Sequence, residues 1–173
     1  MSLFFDSVDY GVLGNTLQRF GEPDEVTDLL LKCARIRRFD GAEIVTPDRG
    51  IPQGSPLAPV LSNLYLDRLD RTLNDHQLRF IRYADDVAIL ARTADEASTA
   101  YRLAQSSLRH LKLDLSVDKS RVYPVDKGVL FLGFLFSRNG KTPCREACDR
   151  LSRKMAEAYD DEDDEQCVQR RAA

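Results

Sequence analysis

Two carboxylates stand side by side at Asp85 and Asp86, between the β-forming runs Phe80-Ile81 and Val87 to Ala91. Adjacent carboxylates repel, so each tends to hold a proton unless a cation lies between them. Hard divalent cations acting on phosphate-bearing substrates are the usual solution. The pattern predicts a β-hairpin with the pair at its tip, and the continuously apolar second run predicts a strand buried on both faces. A purely structural tight turn favours Asn-Gly or Asp-Gly, which reach positive φ cheaply; an acidic surface turn is the bland alternative. A second stretch, Gly50-Ile51-Pro52-Gln53-Gly54-Ser55-Pro56, holds two glycines and two prolines in seven residues. It cannot continue a helix or a central strand, so it is a loop of fixed shape. Gln53 stands just before a helix, where outward backbone N–H groups suit a nucleotide phosphate or sugar. A plain Gly/Pro connector is the competing reading.

The elements that must position these residues follow from periodicity. Phe4-Phe5 reads as the end of a strand running into a helix capped by Asp6, with Asp9 at its third position and Val8, Val12, Leu13, Leu17 and Phe20 on one stripe before Gly21. Pro23 opens a second helix with the stripe Val26, Leu29, Leu30, Cys33 and Ile36. It ends in Arg35, Arg37 and Arg38, which suit either a helix C-terminus or phosphate contact. Residues 41 to 50 form a loop or short hairpin. Ser55 and Pro56 then start a helix whose inward residues are Leu57, Val60, Leu61, Leu64, Leu69 and Leu73. After the acidic hairpin, Thr93 and Glu96 form a capping box for a helix ending near His110. A short strand is expected around Arg121-Val122-Tyr123, and a longer one over Val129 to Phe136, with Gly133 as a bulge or close backbone approach. A last helix covers about Cys144 to Tyr159. This order suggests an α+β fold, an antiparallel sheet with helices packed on one face.

The 173 residues fit one domain, and no apolar run approaches the ~20 residues of a membrane span. No secretory signal is visible. The four cysteines lack zinc spacing and read as free thiols in a reducing cytoplasm. The net charge of −3 is misleading, because Asp160 to Glu165 is an unbroken run of six acids. Without that run and the arginines beyond it the body is near neutral, so any nucleic-acid surface is a local patch. The run itself reads as a solvated, disordered tail.

Three segments in this order and spacing, Phe4-Phe5-Asp6, Gly50 to Asp67, and Tyr83-Ala84-Asp85-Asp86, together resemble the palm domain of reverse transcriptases, most closely the bacterial group II intron and CRISPR-associated types. Leu113 to Ser120 resembles the motif after the palm helix, and Phe131-Leu132-Gly133-Phe134 the primer grip. The resemblance covers about residues 4 to 137. It implies an RNA-directed DNA polymerase, a nucleotidyltransferase adding dNTPs to a DNA primer on an RNA template in the bacterial cytoplasm, with two Mg²⁺ ions (Mn²⁺ as an alternative) and no membrane. Asp85 and Asp86 would be the catalytic metal ligands, and Phe5 the aromatic gate excluding a 2′-hydroxyl. Gln53, Gly54 and Lys119 would contact the nucleotide, and Leu132, Gly133 and Phe134 the primer end. Intron RNA, in a maturase role, or a CRISPR adaptation protein are further partners it suggests.

The implied organisation is a palm over residues 1–140 without fingers, the start of a thumb or a C-terminal helix over 141–159, and the acidic tail over 160–173. In the family a further metal-binding aspartate lies on the first strand four residues before the position of Phe4, upstream of this sequence. Asp6 reads as a helix cap and not as its replacement. The expectation is therefore a palm portion that does not polymerise alone. The alternative is a non-catalytic RNA-binding module derived from a reverse transcriptase.

Overall fold

The computed structural model describes residues 4–39, 41–116 and 120–156. Lys119, the end of the expected last helix and the acidic run lie outside them. The chain divides into two compact units, one ending at Val122 and one beginning at Tyr123. The first contains α1 (Phe4–Ser7), α2 (Tyr10–Arg19), α3 (Asp24–Ala34), the short pair β1 (Arg38–Phe39) and β2 (Ile44–Val45), α4 (Ala58–Asp75), the hairpin β3 (Arg79–Tyr83) and β4 (Asp86–Leu90), and α5 (Ala94–His110). The second contains a 3-10 turn (Val125–Lys127), β5 (Val129–Phe131), β6 (Phe134–Ser137), β7 (Gly140–Pro143) and α6 (145–156). Pairing among the described strands is antiparallel throughout, in sheets of two, two and three strands. The fold is α+β, and no described helix is long and apolar enough to cross a membrane.

The core of the first unit is organised around α4. Its residues Leu61, Tyr65, Leu66, Leu69 and Leu73, at helical spacing, are all but fully buried, and meet Leu13 and Leu17 of α2, Phe4, Ile51 and Leu108. Each such leucine contributes about 1.5–3 kcal/mol by leaving water. Tyr65 adds polar links: its hydroxyl accepts from the Asp9 N–H (3.1 Å) and donates to the Leu111 carbonyl (2.6 Å). With both bonds made, the buried phenol does not carry the penalty of an orphaned polar group. Burial pushes its pKa up to about 12.

Several expectations are corrected. Phe4-Phe5 is not a strand end but part of the helical turn α1. Phe4 and Val8 are buried while Asp6 between them is exposed, whereas strand alternation would put all three on one face. The cap of α2 is Asp9, which accepts from the Val12 N–H at 2.9 Å, and Asp6 lies within α1. Helix α3 buries Thr27 and Ala34 and half-buries Leu30 and Leu31, while Val26, Leu29 and Ile36 face outward. Leu31 of α3 packs close to Gly14 of α2, where a Cβ would stand at about van der Waals contact, 3.4 Å, from Leu31 Cδ1. Helix α4 starts at Ala58 rather than at Pro56, and Ser55 Oγ accepts from the Leu57 N–H instead of capping the helix. Val60, expected inside, is exposed.

The hairpin is not buried on both faces. Phe80, Val87 and Ile89 pack on the core with α4 and α5 behind them, while Ile81, Tyr83 and Leu90 on the other face are exposed. Residues 121–123 form no strand among the described residues. Val129 to Phe136 is two strands and not one with a bulge. Leu132 (φ +49°) and Gly133 (φ +80°) make a two-residue turn between them, a backbone that no strand interior can hold.

Candidate functional site

Strands β3 and β4 pair in strict register, Phe80 with Ile89, Arg82 with Val87 and Tyr83 with Asp86, leaving Ala84 and Asp85 as the connection. Ala84 takes φ +52°, a conformation costly for a residue with a Cβ. The aspartates therefore stand at the hairpin tip, Asp85 half-buried in the turn and Asp86 exposed at the start of β4.

Arg82 braces this tip. Period two places it on the core face with Phe80, and its side chain is only 10% exposed. Its Nε donates to Asp70 Oδ1 of α4 at 2.8 Å. Its Nη1 donates to Asn63 Oδ1 (2.9 Å) and to the Ala84 carbonyl (3.0 Å). One guanidinium thus ties the turn's backbone to two positions of α4, and the fork geometry of arginine permits the several bonds at once. The role of Arg82 went unread in the sequence. Its signal is an inward-facing charge at a period-two position, which must find a partner when buried.

The Gly50–Ser55 loop is brought against α1. The Ile51 N–H donates to the Phe5 carbonyl and the Gly50 N–H to the Val8 carbonyl, each at 2.7 Å. Gly50 has φ +93°, and a Cβ there would lie 2.9 Å from the Phe5 carbonyl oxygen and 3.0 Å from Asp6 Cα, so no other residue fits without displacing backbone. Phe5 is half-buried, its ring edge-on to Phe4 at 5.2 Å. Gln53 and Gly54 are the corners of a turn closed by the Ser55 N–H on the Pro52 carbonyl (3.2 Å). Gly54 at φ +83° matches the type II requirement, and Gln53 is exposed. Phe5, Gln53 and Asp85-Asp86 thus lie on separate elements of the first unit, which share α4 as their support. Lys119 lies outside the described residues. In the second unit Leu132 and Phe134 are exposed around the β5–β6 turn, and the Gly133 carbonyl accepts from the Cys144 N–H (2.8 Å).

A magnesium ion takes six oxygens, and a pair of ions needs carboxylates from more than one element. Among the described residues no three His, Cys, Asp or Glu side chains converge. The tip presents Asp85, which has an interaction of its own, and Asp86; the described residues by themselves do not fit a two-ion centre.

An antiparallel hairpin with adjacent aspartates at its turn, backed by two long helices in an α+β fold, is consistent with a polymerase palm. The chain belongs to the family Reverse transcriptase (RNA-dependent DNA polymerase), whose model matches residues 1–136. It is 24% identical over 168 residues to Protein YkfC of Escherichia coli (strain K12), with 77% of this chain and 44% of that protein covered. It is 29% identical over 133 residues to the retrovirus-related Pol polyprotein from type-2 retrotransposable element R2DM of Drosophila melanogaster (69% and 13% covered). To a Saccharomyces cerevisiae protein named for COX1/OXI3 intron 2 it is 35% identical over 72 residues (41% and 8%). The chain spans less than half the length of each of these relatives.

Proposed function

We propose that this chain is the palm portion of an RNA-directed DNA polymerase that extends a DNA primer on an RNA template. The observation that carries the reading is the Asp85-Asp86 pair at a tip braced by Arg82. Divalent cations, when bound, supply activation of the primer 3′-hydroxyl and charge neutralisation at the leaving pyrophosphate. The chain's own contribution is to hold two carboxylates at one position, with Arg82 fixing the turn that carries them. Phe5 would exclude a 2′-hydroxyl by contact, and Gln53 and Gly54 would face the nucleotide. Leu132, Gly133 and Phe134 would hold the primer end.

Positioning supplies most of the rate in phosphoryl transfer. Among the described residues no third carboxylate converges on the pair, and the chain by itself is proposed not to extend a primer. That same observation favours a second reading, an RNA-binding module without catalysis. Primer extension on an RNA template with Mg²⁺ and dNTPs separates the two. This chain should show no extension, whereas a longer chain continued upstream in its reading frame should extend the primer and lose that activity in Asp85→Ala/Asp86→Ala. A longer chain that folds and is inert, or whose activity survives the double substitution, refutes the polymerase assignment.

A further inference from the structure

A groove of about 600 Å³ opens on the first unit, lined by Ser98, Tyr101 and Arg102 of α5 and by Ser120, Arg121 and Val122. None of these residues belongs to the hairpin, the Gly50–Ser55 loop or α1. Among the described residues its lining contains two guanidiniums and three hydroxyls but no carboxylate. Elsewhere in this unit Arg71, Arg82 and Lys112 are matched to Asp67, Asp70 and Asp9. Arg102 reaches only the Thr99 hydroxyl (3.3 Å), and among the described residues neither Arg102 nor Arg121 has an ion-pair partner. Both are exposed, so the two charges stand ready for an anion from outside.

We infer that this groove binds single-stranded RNA, with two backbone phosphates on Arg102 and Arg121 and an unstacked base on Tyr101. The arginine fork matches phosphate oxygens, and the serine hydroxyls can donate to the same groups. The half-buried Tyr101 ring, beside Val122, supplies the apolar stacking surface that a strand uses and a free phosphate does not. Arg109 extends the positive charge two turns along α5, about 10 Å from Arg102, and is likewise exposed. The near-neutral body of the chain leaves such a local patch as the means of holding RNA. The site is independent of catalysis at Asp85-Asp86 and serves either reading above.

The test is binding of a fluorescein-labelled, mixed-sequence single-stranded RNA to the 173-residue chain, by anisotropy over a salt series in EDTA, which removes divalent cations from the hairpin. Arg102→Gln/Arg121→Gln should lower the slope of log K against log salt by about 1.4, the value for two phosphates on a single strand. Tyr101→Ala should weaken binding about tenfold with little change in slope. Because the assay contains EDTA and reads binding alone, failure of the catalytic assignment leaves this result untouched. Arg19→Gln/Arg68→Gln removes the same charge from elsewhere in the unit and should bind normally. No RNA binding by the parent chain, an equal loss in the Arg19/Arg68 control, or an unchanged slope in the groove variant overturns the inference. Inorganic phosphate bound in the groove of a chain that does not bind RNA makes it a free-anion site and also overturns it. The substituted arginines are exposed, so unchanged thermal unfolding should accompany their variants, and Tyr101→Ala, whose ring is half-buried, should keep a cooperative transition above the temperature of the binding assay.

Discussion

Removal of Arg82 should loosen the hairpin turn that carries Asp85 and Asp86 without unfolding the protein. Its guanidinium is nearly buried, Asp70 is 25% exposed, and three acceptors on two elements depend on it. An exposed ion pair contributes about 0–1 kcal/mol, and breaking a buried one costs about 3–5 kcal/mol. The intermediate exposure here places Arg82→Ala at about 2–3 kcal/mol of lost stability. Arg82→Lys keeps the charge but not the fork, so it should lose about 1 kcal/mol. A double-mutant cycle with Asp70→Ala should return a coupling of about 1–2 kcal/mol, since much of the arginine's effect passes through that carboxylate. Urea unfolding gives the stabilities, and amide exchange of Asp85 and Asp86 reads the turn itself. Freed from the Ala84 carbonyl brace, those amides should exchange about tenfold faster, the factor that 1.4 kcal/mol of local opening gives. A loss below about 0.5 kcal/mol in Arg82→Ala, with exchange at the turn unchanged, would refute the brace.

Gly50→Ala should destabilise by about 3 kcal/mol, through positive φ and a clash with α1 backbone, whereas Gly54→Ala, with open space at its Cβ position, should lose only about 1 kcal/mol; equal effects in urea unfolding would contradict the close approach. Tyr65→Phe leaves the Asp9 N–H and the Leu111 carbonyl without their partner and should lose about 2 kcal/mol. Because the folded phenol keeps its proton up to about pH 12 while the unfolded one ionises near 10, parent stability should also fall between those values, a decline absent in the Phe variant. The Lys112 ammonium, bonded to Asp9 at 2.6 Å, together with the Val12 N–H, holds the Asp9 carboxyl below its ordinary 3.8 against the opposing effect of burial. That stability is present above pH about 4 and lost as pH falls through the lowered value, so the difference between parent and Lys112→Met in unfolding titrations should shrink below pH about 4; a constant difference would show that the pair is not the source.

The residues that local chemistry controls were legible in the sequence. The β-forming runs around Asp85-Asp86 specified the hairpin and put the aspartates at its tip, because pairing two such runs leaves few places for the chain to turn. Thr93 and Glu96 marked the start of α5, where the Thr93 hydroxyl accepts from the Glu96 N–H at 3.1 Å. The Gly50 to Pro56 composition marked a fixed loop. What the loop packs against was not legible: the backbone amides of Gly50 and Ile51 bond the carbonyls of Val8 and Phe5, and Phe4-Phe5, expected as a strand end, is a helical turn at that contact. The inward stripe of α3 was likewise decided by the surface of α2 on which it packs. Gly133 inside an apolar run looked the same whether it bent a strand or turned a hairpin, and only the pairing of Phe131 with Phe134 decides it. Arg82 is the clearest case. Its position on the inner face follows from period two, but Asp70 and Asn63 lie 12 and 19 residues away on another element, and only the packing of α4 against β3 makes them its partners. Capping and strand pairing act over a few residues and can be read from the sequence, whereas the approach of one surface to another depends on every side chain between them and exists only in the folded chain.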